Sequence, residues 1–226
     1  KMMILYILAK YEEQDHGAKL NWRALIEGGI FEFMHRIILT DIKPPIYHEL
    51  MRVHGRKLNA WIYSQLERRV PELDEVFFDK LKRWFDYPEE NRLEKKLLRA
   101  AHYLATQWEF GIIYHFNQAI YGIDATKAAI ESNIEDHYDL AGVQKISLKG
   151  KTSKFIDLVG QLRFQKRWAQ SPRVPETSVM GHVLIVAILG YFCAAELGAC
   201  DERIVNDFLC GLFHDLPEVL TRDIIS

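Results

Sequence analysis

The strongest constraint on this chain is the period of its apolar residues, which recur at spacings of three and four over most of its length while sustained strict alternation is hard to find. That is the period of amphipathic helices, so the expected fold is all-α. Helices are predicted over about 1–13, 21–34, 46–68, 72–86, 91–119, 124–139, 152–167, 178–197 and 201–216, with ends good to a few residues. Pro44-Pro45, Pro71, Pro88, Gly122, Gly142 with Gly150, and Pro172 with Pro175 all fall between those segments, where helix breakers cost least. The stretch 141–154, with both of those last two glycines and four lysines, reads as a solvated linker.

Size and charge narrow what such a helical chain can bind. A length of 226 residues at 49% hydrophobic suffices for a sizeable core in one domain or two small ones. With 29 Lys plus Arg against 31 Asp plus Glu, no global positive excess marks a binder of nucleic-acid polymers or of anionic membranes. An anionic ligand must therefore be held by a local site. Cys193, Cys200 and Cys210 are odd in number, sit among apolar residues and lack zinc-clamp spacing, which predicts buried free thiols in a reducing compartment. The longest apolar run, Val183 to Ala195, falls short of the roughly 20 residues of a membrane span, so it is expected to be a buried core helix. The opening Lys1-Met2-Met3-Ile4-Leu5-Tyr6-Ile7-Leu8 lacks a signal-peptide cleavage site. A cytoplasmic location is the resulting expectation. The ending Thr221 to Ser226 carries no helix stop and reads as part of something longer.

Chemistry concentrates in the last sixty or so residues. His214 and Asp215 follow the apolar run Phe208 to Phe213, and Glu218 lies four positions beyond His214. Pro217 must end or kink that helix, so these three side chains are expected to converge on a helix terminus. A second histidine, His182, opens the apolar helix of Val183 to Ala195, where an unpaired imidazole would cost on the order of 1–3 kcal/mol. Two imidazoles and a carboxylate are the donors that borderline divalent ions accept while leaving positions open for water. The competing explanation is structural: His182 packs at a helix start, and His214-Asp215 is an ordinary polar helix end.

The strings Arg167-Trp168, Glu176 to His182, and Gly211 to Asp223 together resemble the HD superfamily of metal-dependent phosphohydrolases, and within it most closely the bacterial 5′-deoxynucleotidases. The shared pattern is an Arg-Trp pair before a first histidine, then His-Asp on a helix, a Glu four positions after that His, and a Leu-Thr-x-Asp ending. The resemblance covers about residues 160–226. It implies an HD-like helical bundle in which His182, His214 and Asp215 bind a divalent metal such as Mn, Co, Zn, Fe or Mg. It further implies that Glu218 positions or deprotonates the nucleophilic water, that Asp223 assists near the phosphate, that Arg167 offsets phosphate charge and that Trp168 senses the sugar. The family also uses a later Asp as a fourth protein ligand, and no helix follows Asp223 in this sequence to supply it.

The front half holds an echo of this segment. Gly29 to Ile42 aligns without a gap on Gly211 to Ile224, with four identities in fourteen, Glu32 standing at the place of His214 and Phe33 at that of Asp215. Two tandem copies would then be present: a degenerate HD-like region over 1–140, a linker over 141–154 and the metal-binding region over 155–226. His102 would stand at the late-Asp position of the first copy. The alternative is that two helical segments share a pattern by chance. The remaining histidines, His16, His35, His48, His54, His115 and His137, show no ligand spacing and are expected in surface or capping roles.

The leading functional expectation is a hydrolase that removes phosphate from a small phosphomonoester, a (deoxy)nucleoside 5′-monophosphate, by metal-activated water. The alternatives are a non-catalytic HD-type module that binds nucleotide or metal and regulates a partner, and a purely structural helical module. The expected partner is a small phosphorylated substrate, with no nucleic-acid polymer and no membrane, and a homodimer is left open.

Overall fold

The computed structural model describes all residues except 40, 41, 43, 169–173 and 222–226, with no side-chain description at 44–49. It is all-α. The helices are α1 (Met2–Asp15), α2 (Trp22–Leu39), α3 (Pro44–Arg69), α4 (Glu75–Asp86), α5 (Arg92–Phe116), α6 (Ile123–Glu135), α7 (Ala141–Ser147), α8 (Lys151–Gly160), α9 (Val179–Glu196), α10 (Asp201–Phe213) and the short α11 (Glu218–Thr221). A 3₁₀ turn over Gln161–Arg163 follows α8. Among the described residues there is no strand, and the extended pairing found is an isolated antiparallel bridge between Lys166 and Ser178.

The chain forms two compact units, one of Lys1–Arg23 with Lys96–Ser226 and one of Ala24–Lys95. In the smaller unit, Phe31 of α2 meets Phe77 of α4 edge to face at 5.2 Å, and Leu25, Ile30, Leu66, Leu81 and Trp84 are buried around them. Asp74 caps α4, its carboxylate accepting from the backbone N–H of Phe77, which satisfies one of the donors a helix start leaves orphaned. His35 was expected on the surface or at a cap. It is instead buried, its Nε2 3.2 Å from Asn59 Oδ1 and its ring stacked on Phe85 at 4.5 Å.

In the larger unit the segment 141–154 contains α7 and the first turn of α8. Ala141, Val143 and Ile146 are buried, whereas Lys149, Lys151 and Lys154 carry the exposed or half-exposed side, so the lysines are the solvated face of helical chain. Two contacts dock α7 on α1. Glu12, itself buried, accepts a 2.7 Å hydrogen bond from Ala141 N–H at the start of α7, and Gly142 lies so close to Leu8 that a Cβ there would sit 2.6 Å from its Cδ2.

α9 and α10 pack along each other. Gly198, at φ +65°, turns the chain between them, a left-handed conformation open to glycine at no steric cost. Burial on α9 follows a stripe, Val183, Ala187, Tyr191 and Ala194, facing Ile204, Phe208 and Leu212 of α10. The expectation of a buried core helix is only partly met. Only 28% of α9 is buried, and Ile185 and Leu189 on its outer side are half-exposed or more. By length and apolarity α9 would suffice to cross a membrane. α10, laid along it, carries Asp201, Glu202, Arg203 and Asp207, charges that a bilayer centre accepts at a cost of about 3 kcal/mol each. The three cysteines, expected to be buried, are all exposed: Cys193 and Cys210 fall off the buried stripes of α9 and α10, and Cys200 precedes α10.

Candidate metal centre

The site is assembled where α9 begins and α10 ends. Ser178 caps α9 through its hydroxyl, which accepts from Gly181 N–H at 3.1 Å, and so fixes His182 on the first turn. Just upstream the helix expected over 152–167 stops at Gly160. The chain then leaves helical geometry, with Arg167 N–H donating to Thr177 O at 2.9 Å and Val179 N–H to Gln165 O at 3.0 Å. This short pairing ties Arg167 to the start of α9. Trp168, directly after it, holds φ +59°, a left-handed conformation that costs a residue with a side chain about 1–2 kcal/mol.

α10 ends at Phe213, and His214 keeps helical dihedrals beyond it. Hydrogen bonds from Leu216 N–H to Phe213 O and from Glu218 N–H to Asp215 O close a tight turn through Pro217 into α11. His214 and Asp215 thus follow the end of α10 directly, while Glu218, expected on the same terminus, opens α11 across the turn through Pro217.

The donor atoms converge. His182 Nε2 lies 3.5 Å from Asp215 Oδ2, and His214 Nε2 lies 3.2 Å from Asp215 Oδ1. The rings of His182 and His214 are 5.3 Å apart at 70°. One ligand atom from each of these three residues fits within 4.8 Å of the others. Two donors each 2.1 Å from a tetrahedral ion are separated by about 3.4 Å, close to both observed spacings. His214 Nδ1 is 2.8 Å from Gly211 O; an N–H there donates to the carbonyl and leaves the Nε2 lone pair facing Asp215. The Asp215 side chain is 16% exposed, and its Oδ2 is buried without a hydrogen bond. A buried, unsatisfied carboxylate oxygen is costly unless something else binds it. These residues fit a divalent ion by donor type, spacing and unmet valence.

Around the triad, Arg167 Nη1 stands 3.7 Å from Asp215 Oδ2, also buried and without a hydrogen bond. Glu218 Oε2 is buried at the start of α11. Of the residues singled out from sequence, His182, His214, Asp215 and Arg167 are brought together, Trp168 adjoins Arg167 in the chain, and Asp223 lies outside the described residues. Gly211 and Gln165 were not singled out. Gly211 was legible only as a glycine in a helix, and Gln165 carried no sequence signal.

Two imidazoles and one carboxylate converging at a helix junction form a donor set that could hold a divalent ion. Residues 159–226 match the family model described as an HD domain, the stretch that carries His182, His214 and Asp215. No curated protein and no solved structure matches the chain.

Proposed function

We propose that this protein is a metal-dependent phosphohydrolase that releases phosphate from a small phosphomonoester, with (deoxy)nucleoside 5′-monophosphates as the substrate class. The observation that carries this reading is the convergence of His182, His214 and Asp215, with Asp215 Oδ2 buried and unsatisfied beside the equally unsatisfied Arg167 Nη1. His182, His214 and Asp215 would hold the ion, which when bound lowers the pKa of its water towards about 7 and offsets charge on a phosphoryl oxygen.

The chain's own groups supply the rest. Arg167, whose Nη1 is buried without a hydrogen bond 3.7 Å from Asp215 Oδ2, has a donor to spare for a phosphate oxygen, and a guanidinium matches that geometry in a bidentate fork. Glu218, one tight turn from Asp215, would take the proton of the attacking water. Trp168 would pack against the sugar and disfavour a 2′-hydroxyl by crowding it. The role near the phosphate assigned to Asp223 rests on the family resemblance.

The test is phosphate release from a panel of deoxynucleoside and ribonucleoside monophosphates with Mn, Co, Zn or no added metal, comparing the protein with its Asp215→Ala variant. Metal-dependent release that the variant loses is expected, with faster turnover of deoxy substrates. A protein that demonstrably holds an ion yet releases no phosphate from any of them would sink the hydrolase reading in favour of a regulatory HD module.

A further inference from the structure

The unmet hydrogen-bonding capacity near the site extends beyond the phosphate-binding group. Gln165 Oε1 is buried and has no hydrogen-bond partner, as do Arg167 Nη1 and Asp215 Oδ2. Gln165 and Arg167 flank Lys166, whose isolated bridge to Ser178 is framed by hydrogen bonds from Arg167 N–H to Thr177 O and from Val179 N–H to Gln165 O. Side chains alternate along extended backbone, so Gln165 and Arg167 share one side while Lys166 takes the other. The burial agrees, since Lys166 is exposed and paired with Glu176 at 2.7 Å, whereas the polar ends of Gln165 and Arg167 are inside. Arg167 reaches Asp215 of the metal centre, and the alternation of side chains directs Gln165 to the same side.

We infer that Gln165 is a second recognition point of the site, its amide oxygen accepting a hydrogen bond from a hydroxyl or N–H on the organic part of the substrate. Residues two apart on extended backbone have Cα atoms roughly 7 Å apart, a spacing that lets two side chains on one side reach a phosphate and the sugar attached to it. A ligand that satisfies both groups is therefore a phosphomonoester with a donor one sugar away from its phosphorus, not inorganic phosphate or an aryl phosphate. The inference rests on the phosphoester reading above and narrows it. The physical reason for keeping such an amide is the asymmetry of buried polar groups: an unmet acceptor costs stability in the free protein and recovers it only when the matching donor arrives. A site built this way rejects analogues lacking the donor more strongly than an apolar pocket does.

The experiment compares the protein with Gln165→Met and Gln165→Glu in three measurements. The first is kcat/KM for a deoxynucleoside 5′-monophosphate and for p-nitrophenyl phosphate, which has no donor on its leaving group. The second is calorimetric affinity for the same nucleotide and for inorganic phosphate, and the third is thermal melting. Gln165→Met is expected to lose about tenfold in kcat/KM and in affinity for the nucleotide, to change little towards p-nitrophenyl phosphate and inorganic phosphate, and to melt at or above the parent. Gln165→Glu, which keeps an acceptor, is expected to retain more nucleotide affinity than Gln165→Met. Equal losses on both substrates, a lower melting temperature with no selectivity change, or no change at all would each overturn the inference. If the parent turns over neither substrate, the hydrolase reading fails by itself. The inference then stands or falls on whether Gln165→Met selectively weakens nucleotide over inorganic phosphate.

Discussion

Gly211 brings α10 against the backbone of Ala187 on α9: a Cβ at Gly211 would lie 2.7 Å from Ala187 Cα and 2.8 Å from its nitrogen. The obstructing atoms are backbone, so no side-chain adjustment can make room. The same residue's carbonyl holds His214 Nδ1. One glycine thus sets both the separation of the helices that carry His182 and His214 and the orientation of one imidazole.

Gly211→Ala should therefore act on stability and on the metal centre together. Forcing a methyl into a packed seam costs typically 1–3 kcal/mol, and any outward shift of α10 moves His214 and Asp215 away from His182. We expect a lower melting temperature and at least a tenfold loss of affinity for Mn or Zn by calorimetry. A variant that melts lower but binds metal unchanged would show that the seam relaxes without moving the ligands.

Removing the buried carboxylate of Glu12 should uncouple α7 from α1. Glu12→Ala leaves Ala141 N–H without its 2.7 Å acceptor at the start of a helix, and also removes the partner of His16 Nδ1 at 2.8 Å. Loss of a buried, charge-assisted hydrogen bond is expected to cost about 1–3 kcal/mol. Denaturant unfolding followed by circular dichroism checks this, and because the site lies on other helices, metal affinity should stay near that of the parent.

How much of this was legible in sequence depends on the reach of each signal. The period of apolar residues gave the helices, and His182 at the head of an apolar run, with Pro217 after the His-Asp pair, pointed to helix ends, because prolines and ligand pairs act locally. The seam between α9 and α10 was not legible, since what Gly211 requires is the proximity of Ala187, a residue 24 positions earlier. α7 was missed for a related reason: its seven residues carry too few apolar positions to show a period, and the acceptor that caps it is Glu12. The burial expected for Cys193 and Cys210 failed because apolar neighbours in sequence fall all around a helix, whereas burial follows one stripe, and Cys200 falls in the turn before α10. Gln165 had no signal because its standing comes from a hydrogen bond it does not make.

The last prediction concerns pH and the smaller unit. Burial pushes the pKa of His35 below the usual histidine value; the hydrogen bond with Asn59 and the charge of Glu32 oppose that shift, and Arg36 adds to it. The folded state then binds a proton at this ring less readily than the unfolded chain, whose histidines titrate near 6.5. Stability contributed by neutral His35 is full above about pH 6.5, falls as the pH drops below that value, and stops falling below the folded-state pKa. Charged and polar groups facing the ring, Glu32, Arg36 and Asn59, remain in His35→Gln, so the variant isolates the imidazole. Thermal melting between pH 7.5 and 5 should show the parent losing stability more steeply than His35→Gln on the acid side, with the two profiles parallel above about pH 7. Because the other eight histidines are common to both proteins, parallel profiles throughout would mean that the ring protonates without leaving its buried place, against the sign of the shift.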